Sequence, residues 1–464
     1  MKRESCGLIG IYNHREAARM AYFGLYALQH RGQESAGIAV WDGKKIREQK
    51  GMGLVAEVFQ ERHLSRELKG DIAIGHIRYS TTGASLLRNA QPFITYFKGL
   101  HMAVGHNGNL VNTVEIRRDL EDQGSLFQTS MDSEIFVHLI AREARDSSTI
   151  EEAILRACKR VKGAYSLVIL INDKLIGVRD PHGFRPLVLG RVSTSYVLAS
   201  ETCALDLMEA EYLREVSPGE MVVIEGDRLT TYEMNRRGIK SRCCIFELIY
   251  FARPDSTIFG HNVYLARKNM GKMLAQEAPV EADFCMPFPD SGVYAAVGYA
   301  QHSGLPFENA MIRNHYVGRT FIQPSQDMRD FGVRVKLNPV KEMIRDKRIV
   351  IVEDSIVRGT TIRTRIKKLR ELGASKLHMR VSCPPIKYPC FYGIDFSSKG
   401  ELIAGNLEVK EIERFIGLDS LHYLSLEGLL EAVGGEDKYC LACFNGDYPI
   451  SCDGAYGKLF FEGA

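Results

Sequence analysis

Residues 348–361 constrain the fold more than any other part of the chain. A β-branched run ends at two adjacent acids, Glu353 and Asp354, and a loop of Ser, Arg, Gly and Thr residues follows. Apolar residues then recur at helical spacing, so the segment predicts a strand, a loop and a helix. Such a loop lets backbone N–H groups face a phosphate, and the two carboxylates suit ribose hydroxyls or Mg²⁺. We expect a sugar-phosphate site here, although an ordinary strand–turn–helix with an acidic turn is the simpler alternative.

Length, charge and cysteine content limit the possible classes of protein. A chain of 464 residues is long enough for two or three domains. A formal net charge of +3 gives no reason to expect nucleic acid or a membrane surface as a partner. The sequence shows neither a transmembrane stretch nor the apolar core of a signal peptide, so we expect a cytoplasmic protein. The 11 cysteines are then better explained as reactive thiols, metal ligands or core residues than as disulfides.

The first half of the chain alternates between strand-like and helical patterns. Four short apolar segments are typical of strands: residues 72–76, 102–106, 166–170 and 221–224. Helical patterns lie between them, around residues 17–28 and 133–145. This mixture predicts sheets that pack face to face and are flanked by helices.

Polar, glycine-rich segments in the same half carry candidate chemistry: residues 29–37, 75–83 and 105–110. Cys6 lies beside an apolar run and, taken alone, is compatible with a buried structural cysteine. Asn107 and Gly108 combine an amide side chain with a flexible backbone N–H, which are the components of an oxyanion hole. In this order, the segments resemble the glutaminase domain of N-terminal-nucleophile amidotransferases, over residues 6–230.

That resemblance implies that Cys6 attacks the carboxamide of glutamine, while the Asn107 side chain and the Gly108 N–H stabilise the oxyanion. Four residues are implied to bind glutamine: Arg31, Arg78, Thr81 and Asp132. Arg78 suits the α-carboxylate and Asp132 the α-amino group. Helix N-capping is the structural alternative for Asp132.

A thiol with a reference pKa of about 8.5 needs a base to react at neutral pH. In the family that the sequence resembles, this base is the α-amino group of the nucleophile itself. Cys6 must then be the first residue of the mature chain. We therefore expect cleavage between Ser5 and Cys6, which releases residues 1–5 as a propeptide.

The second half has an α/β pattern. A helix at 263–276, a strand that breaks into a Pro-rich loop within 283–292, and the strand and helix of 348–361 predict a parallel sheet with helices on both faces. Residues 312–326 lack clear periodicity and predict a loop that closes over a polyanion. The 348–361 segment resembles the signature of type I phosphoribosyltransferases, enzymes that use phosphoribosyl pyrophosphate (PRPP).

Taken together, the two halves resemble the glutamine PRPP amidotransferase family over nearly the whole chain. The resemblance implies a propeptide (1–5), an α+β N-terminal-nucleophile hydrolase domain (6–230), and an α/β type I phosphoribosyltransferase domain with a cluster-binding tail (231–464). It implies that ammonia made at Cys6 is channelled to PRPP, which yields 5-phosphoribosylamine, pyrophosphate and glutamate in the first committed step of purine synthesis. It also implies a homo-oligomer, a tetramer in the family, and inhibition by purine nucleotides.

The same resemblance assigns the acceptor site. The implied PRPP-binding residues are Arg319, Lys336, Glu353, Asp354, Ser355, Arg358, Gly359, Thr360 and Thr361. One Mg²⁺ per subunit is implied at Ser291, Glu353 and Asp354. Two residues depart from the family pattern: Glu353 stands where an aspartate is usual, and His315 stands where an arginine is usual.

Cys440 and Cys443 have the spacing of metal ligands. The resemblance to the iron–sulfur, propeptide-containing subtype adds Cys244 and Cys390 and implies one [4Fe–4S] cluster per subunit. A Cys₄ zinc site and unligated buried thiols are the alternatives, and Cys243 is the alternative to Cys244 as a ligand. The remaining cysteines are expected in the core or on the surface: Cys158, Cys203, Cys285, Cys383 and Cys452.

Two rival functions are compatible with parts of the sequence. An amidotransferase with a different acceptor domain would share the glutaminase, but it would have no use for residues 348–361. A non-catalytic PRPP- or purine-sensing regulator could share the fold, but it would have no use for an oxyanion hole.

Overall fold

The computed structural model describes residues 6–79, 83–234, 236–314, 337–395 and 398–452. Within these ranges, no helix has both the length and the apolar character needed to cross a bilayer. Several residues that the sequence singled out lie outside the described ranges, namely Thr81, His315, Arg319, Lys336 and the propeptide residues 1–5.

The first half of the chain forms two antiparallel sheets. Their strands are β1 (Gly7–Tyr12), β2 (Ser35–Trp41), β3 (Ile46–Met52), β4 (Ile72–Arg78), β5 (Phe93–Phe97), β6 (Leu100–Leu110), β7 (Gly163–Ile171), β8 (Lys174–Arg179), β9 (Val188–Val192), β10 (Ser195–Ala199), β11 (Glu211–Glu215), β12 (Glu220–Glu225) and β13 (Arg228–Glu233). The first sheet has the order β11-β9-β10-β1-β4-β2-β3, and the second has the order β13-β12-β8-β7-β6-β5. β13 ends at Glu233, just beyond the expected domain boundary at residue 230.

The two sheets pack face to face through apolar side chains. Leu8 of the first sheet and Val168 of the second belong to one buried cluster between them. The outer face of the first sheet covers the helix Ala17–Ala27, and the outer face of the second covers the helices Ser133–Glu143 and Ile150–Arg160. The result is a helix–sheet–sheet–helix sandwich, which confirms the arrangement expected from the alternating patterns.

The helices predicted around residues 17–28, 133–145 and 263–276 are present, and several helices begin at a polar side chain that accepts an N–H of the first turn. Thr149, Asn262 and Ser425 cap their helices in this way. The helices of the described chain are Ala17–Ala27, Val55–Val58, Thr113–Asp122, Ser133–Glu143, Ile150–Arg160, Thr202–Leu207, Val263–Glu277, Val293–Ser303, Lys341–Ile344, Thr360–Glu371, Ile403–Asn406, Val409–Ile416, Leu426–Ala432 and Ala442–Asn445.

The second half is built on a parallel sheet. The strands of this half of the chain are β14 (Cys243–Cys244), β15 (Thr257–Ile258), β16 (His261–Asn262), β17 (Phe284–Pro287), β18 (Met311–Arg313), β19 (Leu337–Pro339), β20 (Arg348–Glu353), β21 (Lys376–Val381), β22 (Ser420–Tyr423) and β23 (Tyr439–Cys440). Strands β17, β20, β21 and β22 pair in parallel in that order. The buried strand β20 ends at Glu353. Parallel sheets of this kind bind ligands at the carboxyl ends of their strands, so Glu353 lies at the edge where a ligand is expected.

One sequence expectation needs correction in this half. Residues 312–326 were expected to be a loop, but residues 312 and 313 belong to β18, which pairs antiparallel with β19. Met311 is buried against the core, which holds β18 in place. From residue 315 onward, the expected loop lies outside the described residues.

Candidate functional site

The candidate nucleophile lies at the start of the first sheet. Cys6 directly precedes β1, and the register that pairs Gly7 with Ile77 brings it to the end of β4. The Cys6 thiol donates to the Tyr79 carbonyl oxygen at 3.4 Å and accepts the Tyr79 N–H at 3.5 Å. A Cβ at Gly7 would lie 2.8 Å from Ile77, so glycine lets the two strands close beside the thiol.

Burial raises the pKa of the Cys6 thiol, although the Tyr79 N–H and the Arg78 guanidinium act in the opposite direction. Only 7% of Cys6 is exposed. The thiolate, rather than the thiol, attacks a carbonyl carbon. The site therefore needs a base before Cys6 can react with an amide.

The predicted oxyanion residues lie next to each other in β6. Asn107 pairs with Ser166 and Gly108 pairs with Tyr165 on β7. Gly108 has a φ of +150°, and a Cβ there would lie 2.0 Å from the Ala164 carbonyl oxygen. Only glycine fits this position, because any side chain would overlap the neighbouring strand.

Two buried histidines join the strands that carry these groups. His76 in β4 contacts the His106 carbonyl oxygen in β6 at 3.0 Å, one residue before Asn107. The His106 ring lies 3.2 Å from the Ser133 hydroxyl and 3.6 Å from the Asp132 carboxylate. These contacts join β4 to β6 and place the Asp132 carboxylate close to the strand that carries Asn107.

Asp132 occupies the N-cap position of the helix Ser133–Glu143, but its side chain makes no cap hydrogen bond. The carboxylate instead accepts the Leu110 N–H at 3.0 Å. Burial opposes ionisation, but the His106 ring and the Leu110 N–H outweigh it and hold the pKa of Asp132 below its ordinary value. The geometry supports a carboxylate directed across the end of β6 rather than a helix cap.

Arg78 lies at the opposite side of the same site. Its guanidinium donates to the carbonyl oxygens of Ala84 at 3.1 Å and Gly83 at 3.3 Å, and it lies 3.6 Å from Glu34. The side chain is buried where β4 ends, next to Cys6. A carboxylate that enters this site would therefore meet a positioned cation.

Arg31 belongs to a buried charge network beneath the nucleophile. Its Nε donates to the Cys6 carbonyl oxygen at 2.9 Å. Its Nη1 bonds Glu201 at 2.5 Å and Glu247 at 2.9 Å, and its Nη2 bonds Glu247 at 2.8 Å. Arg185 donates to the same Glu247 carboxylate at 2.9 Å. All four charged side chains are fully buried, so the two cations and two anions must compensate one another.

No motif marked Glu247 in the sequence. It begins a single π-helical turn, Glu247–Phe251, a geometry often found at functional sites. Its place inside the apolar run 243–251 was a usable signal, because a charge within a buried segment needs a partner. Glu201 and Arg185 carried no comparable signal.

Glu201 also belongs to a group of possible metal ligands. Atoms of His30, Glu201 and Cys203 lie within 4.8 Å of one another. One Glu201 oxygen already contacts Arg31 and His30, and the other accepts a hydroxyl and a backbone N–H. Burial opposes ionisation, but His30 and Arg31 hold the pKa of Glu201 well below its ordinary value. An arginine on the same carboxylate fits a polar network better than a cation site.

The candidate acceptor site lies at the end of β20. Glu353 and Asp354 are both buried there, and Asp354 accepts the Ser355 hydroxyl at 2.6 Å. Buried adjacent carboxylates need cations or donors as partners. The end of β20 is therefore suited to a hydroxylated ligand or a metal ion.

The loop after these acids leads directly into a helix. Gly359 has a φ of +74° and precedes the helix Thr360–Glu371, whose first two threonines are exposed. Arg358 extends away from the loop to Glu401, at 2.8 Å. Hydroxyls and N–H groups at an exposed helix N-terminus form a suitable phosphate site.

Ser291 lies beside the same strand end. The Phe288 N–H donates to the Val352 carbonyl oxygen at 2.9 Å, and a Cβ at Gly292 would lie 2.3 Å from that oxygen. The segment 288–292 therefore packs against the residue that precedes Glu353. The chain neighbours of Ser291 therefore lie close to the strand end that carries the predicted acids.

The four predicted cluster cysteines come together at the domain junction. Cys244 in β14 and Cys440 in β23 are paired across two parallel strands. Burial raises the pKa of the Cys443 thiol well above its ordinary value, and Cys390, Cys440 and Cys244 raise it further. Cys243 faces the other side of β14, where it contacts Arg179 at 3.7 Å. The geometry therefore favours Cys244 over Cys243 as the ligand.

The spacing of the four thiols bears on which metal they could hold. Every cysteine of the chain lies among the described residues, and none forms a disulfide. No three of these four thiols lie within 4.8 Å of one another. Four thiolates on one zinc ion would lie about 3.8 Å apart, given a Zn–S bond of about 2.3 Å. The four thiols are therefore not arranged as closely as they would be around one zinc ion.

Comparison with known proteins places this geometry in a family. A glutamine amidotransferase domain model matches residues 76–207. The amidophosphoribosyltransferase of Archaeoglobus fulgidus is 50% identical over 454 residues, covering 97% of this chain and 99% of that protein. The enzyme of the same name from Bacillus subtilis is 50% identical and covers 96% of this chain and 94% of the relative. The chain belongs to the amidophosphoribosyltransferase family.

Solved structures extend the match to the fold. The glutamine PRPP amidotransferase of B. subtilis, complexed with ADP and GMP, matches with a TM-score of 0.90 at 49% identity, covering 96% of this chain and 98% of that one. A structure described as the allosteric regulatory enzyme of purine biosynthesis matches with a TM-score of 0.91, also at 49% identity, covering 96% and 97%. The predicted amidophosphoribosyltransferase fold, two domains in series, is confirmed, as is the prediction of an enzyme of purine biosynthesis.

The buried His76 predicts how the stability of this enzyme depends on pH. Burial lowers the pKa of His76 to about 3, below its ordinary value of about 6.5. As the pH falls below about 6.5, the unfolded chain binds a proton at this histidine that the native state excludes. Protonation therefore favours the unfolded state, and the protein loses stability. The free energy of unfolding should fall by up to about 1.4 kcal/mol per pH unit, and the total loss from His76 should be about 2 kcal/mol at pH 5.

His76→Gln keeps an N–H for the His106 carbonyl oxygen but cannot titrate. Urea unfolding between pH 7 and pH 5 should therefore show a flatter decline in this variant than in the wild type. His302→Gln, at an exposed position of the helix Val293–Ser303, is the matched control and should follow the wild type. Equal pH dependence in wild type and His76→Gln would contradict the assignment.

Proposed function

We propose that this chain transfers the amide nitrogen of glutamine to PRPP, which yields 5-phosphoribosylamine, pyrophosphate and glutamate. The observation that supports this most strongly is that one chain combines a buried thiol at the end of β4, a strand β6 that contacts β4 through His76 and carries Asn107 and Gly108, and a separate acidic strand end with a phosphate-type loop. The first site suits cleavage of a carboxamide, and the second suits a phosphorylated sugar. The proposed domains are 6–230 for the glutaminase and 231–464 for the phosphoribosyltransferase.

In the glutaminase half-reaction, Cys6 is the proposed nucleophile. Attack on the carboxamide carbon forms the C–S bond, and the π electrons of the C=O bond move to the amide oxygen. The Asn107 side chain and the Gly108 N–H are proposed to stabilise that oxyanion. Collapse of the tetrahedral intermediate expels ammonia and leaves a thioester, which water hydrolyses to glutamate.

The raised pKa of the buried thiol supports the proposed processing at Ser5–Cys6. Cleavage would free the α-amino group of Cys6, whose reference pKa of about 8 leaves a useful neutral fraction to accept the thiol proton. The same amine could then return a proton to the departing ammonia.

Arg78 and Asp132 are the proposed partners of the charged end of glutamine, on the α-carboxylate and the α-amino group respectively. Both are buried at the same end of the sandwich. Thr81 remains a proposed pocket residue outside the described ranges. Each of the three guanidinium nitrogens of Arg31 is already bonded within the protein, so we propose that Arg31 positions Cys6 instead of contacting glutamine.

At the acceptor site, Glu353 and Asp354 are the proposed partners of the ribose hydroxyls. The 5′-phosphate is proposed to bind the loop formed by Ser355, Arg358, Gly359, Thr360 and Thr361. Arg319 and Lys336 are proposed to neutralise pyrophosphate and lie outside the described residues. Stabilising the departing pyrophosphate should dominate the rate of attack at C1.

The acids and hydroxyl at the end of β20 fit one Mg²⁺ ion. Glu353 and Asp354 would supply hard carboxylate oxygens, and Ser291, in the segment 288–292 that packs against Val352, is the proposed hydroxyl ligand. Mg²⁺ prefers such oxygen ligands together with substrate phosphates. When bound, the ion would neutralise charge on the leaving pyrophosphate.

Cys244, Cys390, Cys440 and Cys443 are the proposed ligands of one [4Fe–4S] cluster. The surrounding protein raises the pKa of all four thiols, so they would become thiolates only with a cation or metal beside them. Four cysteine thiolates suit a [4Fe–4S] cluster. We assign the cluster no part in the chemistry of glutamine or PRPP.

Three further properties complete the proposal. Purine nucleotides are proposed as inhibitors, because a close structural relative is complexed with ADP and GMP. A homo-oligomer, a tetramer by family resemblance, and a cytoplasmic location are proposed from the sequence.

Cys6→Ala tests the division of labour between the two sites. The variant should lose glutamine-dependent formation of pyrophosphate by a factor of about 10⁴ or more, because the nucleophile is gone. It should keep most of the pyrophosphate release driven by free ammonia, because the acceptor site is intact. Asp354→Asn is the complementary variant and should lose both activities.

Loss of the ammonia-dependent reaction in Cys6→Ala would contradict two separable sites. Intact mass spectrometry of the active wild-type enzyme tests the processing step in the same preparation. The subunit should have the mass of a chain that begins at Cys6. A fully active subunit that retains Met1 would overturn the proposed role of the α-amino group.

Metal analysis of anaerobically purified enzyme tests the cluster. We expect about four iron and four inorganic sulfide per subunit, as the formula of the cluster requires. Cys440→Ala should lose the iron, whereas Cys158→Ala, a buried cysteine remote from the four, should keep it. Zinc in place of iron, or iron retained in Cys440→Ala, would refute the assignment.

A further inference from the structure

The segment that carries Cys390 packs directly against the oxyanion strand of the other domain. The Asn109 side chain in β6 donates to the Phe391 carbonyl oxygen at 2.9 Å. Gly393 approaches Gly108 so closely that a Cβ at residue 393 would lie 3.0 Å from the Gly108 carbonyl carbon. Gly108, whose N–H is the proposed oxyanion donor, and the next residue of β6 therefore both touch the loop 390–393.

Apolar packing seals the same contact. Tyr392 stacks on Phe184 with ring centroids 4.5 Å apart, in a buried cluster that includes Val111 and Ala164. The Ala164 carbonyl oxygen also limits Gly108 from the opposite side, 2.0 Å from where a Cβ would be. Gly108 is thus confined between β7 and the loop 390–393, and its N–H direction depends on both.

A second route leads from the loop to the nucleophile. Arg185 donates to the Tyr392 carbonyl oxygen at 2.9 Å and to Glu247 at 2.9 Å. Glu247 bonds Arg31, which donates to the Cys6 carbonyl oxygen. Every side chain in this route is fully buried, so none can exchange its partner for water.

The cysteine site holds the loop from its other end. The Lys387 and Tyr388 N–H groups both donate to the Cys443 carbonyl oxygen, at 2.9 and 3.1 Å. The Tyr392 N–H lies 3.4 Å from the Cys390 sulfur. Whatever fixes Cys390 relative to Cys443 therefore fixes the backbone that touches Gly108 and Arg185.

We propose that the loop 390–393 is a positioning element for the glutaminase half-reaction, and that Asn109, Arg185 and Glu247 transmit its position to the oxyanion hole and to Cys6. The four-cysteine site thereby sets the geometry of glutamine cleavage without contacting substrate. The coupling to metal occupancy rests on the proposed cluster, whereas the positioning contacts do not.

Two matched pairs of variants test the proposal in the metal-loaded enzyme. Asn109→Ala removes the bond to Phe391, and Asn112→Ala removes comparable bonds to residues 160 and 162, away from the loop. Gly393→Ala places a methyl group against Gly108. Gly435→Ala imposes similar backbone strain, because Gly435 has a φ of +71° and Gly393 a φ of +101°. A Cβ at Gly435, however, would have no atom within 4 Å.

Asn109→Ala and Gly393→Ala should each lower the glutamine-dependent kcat about 10-fold, part of the 10²–10³-fold effect of deleting an oxyanion donor. The KM for glutamine and the ammonia-dependent rate should change less than about twofold, because the loop contacts that these variants alter lie at Gly108 and Asn109 and not at Arg78, Asp132 or the acids of β20. Arg185→Lys keeps the charge but loses the fork that joins Glu247 to Tyr392, and it should behave likewise. Both control variants should match the wild type.

Hydrogen exchange supplies a readout other than activity. Removing the metal with a chelator should speed amide exchange at residues 105–110, whereas β2 (Ser35–Trp41), in the other sheet, should be unaffected. Unchanged glutamine-dependent kcat in Asn109→Ala and Gly393→Ala would overturn the proposal, as would equal losses of the glutamine and ammonia reactions. If the wild type contains no metal but these variants still lose the glutamine reaction alone, the cluster assignment fails and the positioning role stands.

Discussion

Four charged side chains, Arg31, Arg185, Glu201 and Glu247, are fully buried where the two halves of the chain meet, and the positions of Cys6 and of the loop 390–393 depend on them. Removing one member of such a set leaves an uncompensated charge, at a cost of about 3–5 kcal/mol. The network can therefore exist in few arrangements. Because Arg31 binds the Cys6 carbonyl oxygen and Arg185 binds Tyr392, the same set fixes the nucleophile and the loop beside the cysteines.

The chemistry explains why two sites share one chain. Ammonia is a nucleophile only while it is unprotonated, so its release into water at neutral pH would waste most of it. In the proposed reaction, ammonia forms at the buried Cys6, and the acidic end of β20 holds the sugar that receives it. Water exclusion along the route is the physical requirement that couples them. The parallel sheet contributes the acceptor and the sandwich contributes the donor.

Local patterns were enough to predict most of the fold. The strand β20 and its helix were predicted because β-branched and helical periodicities are local properties, and Gly108 was predicted from an amide next to glycine. The charge network was not predictable, because Arg31 and Glu247 are separated by 216 positions and no local pattern records their contact. The contact between Gly393 and Gly108 was hidden for the same reason. For Asp132, only the structure showed that the side chain makes no cap hydrogen bond and instead accepts the Leu110 N–H.

An isotope competition tests most directly whether the two sites act as one enzyme. The reaction is run with glutamine carrying ¹⁵N in its amide and with a large excess of unlabelled ammonium in the buffer. If ammonia passes from Cys6 to PRPP without entering solvent, the phosphoribosylamine formed should keep the ¹⁵N label in far greater proportion than the mixed pool contains. A label diluted to the composition of the free ammonium pool would contradict the account.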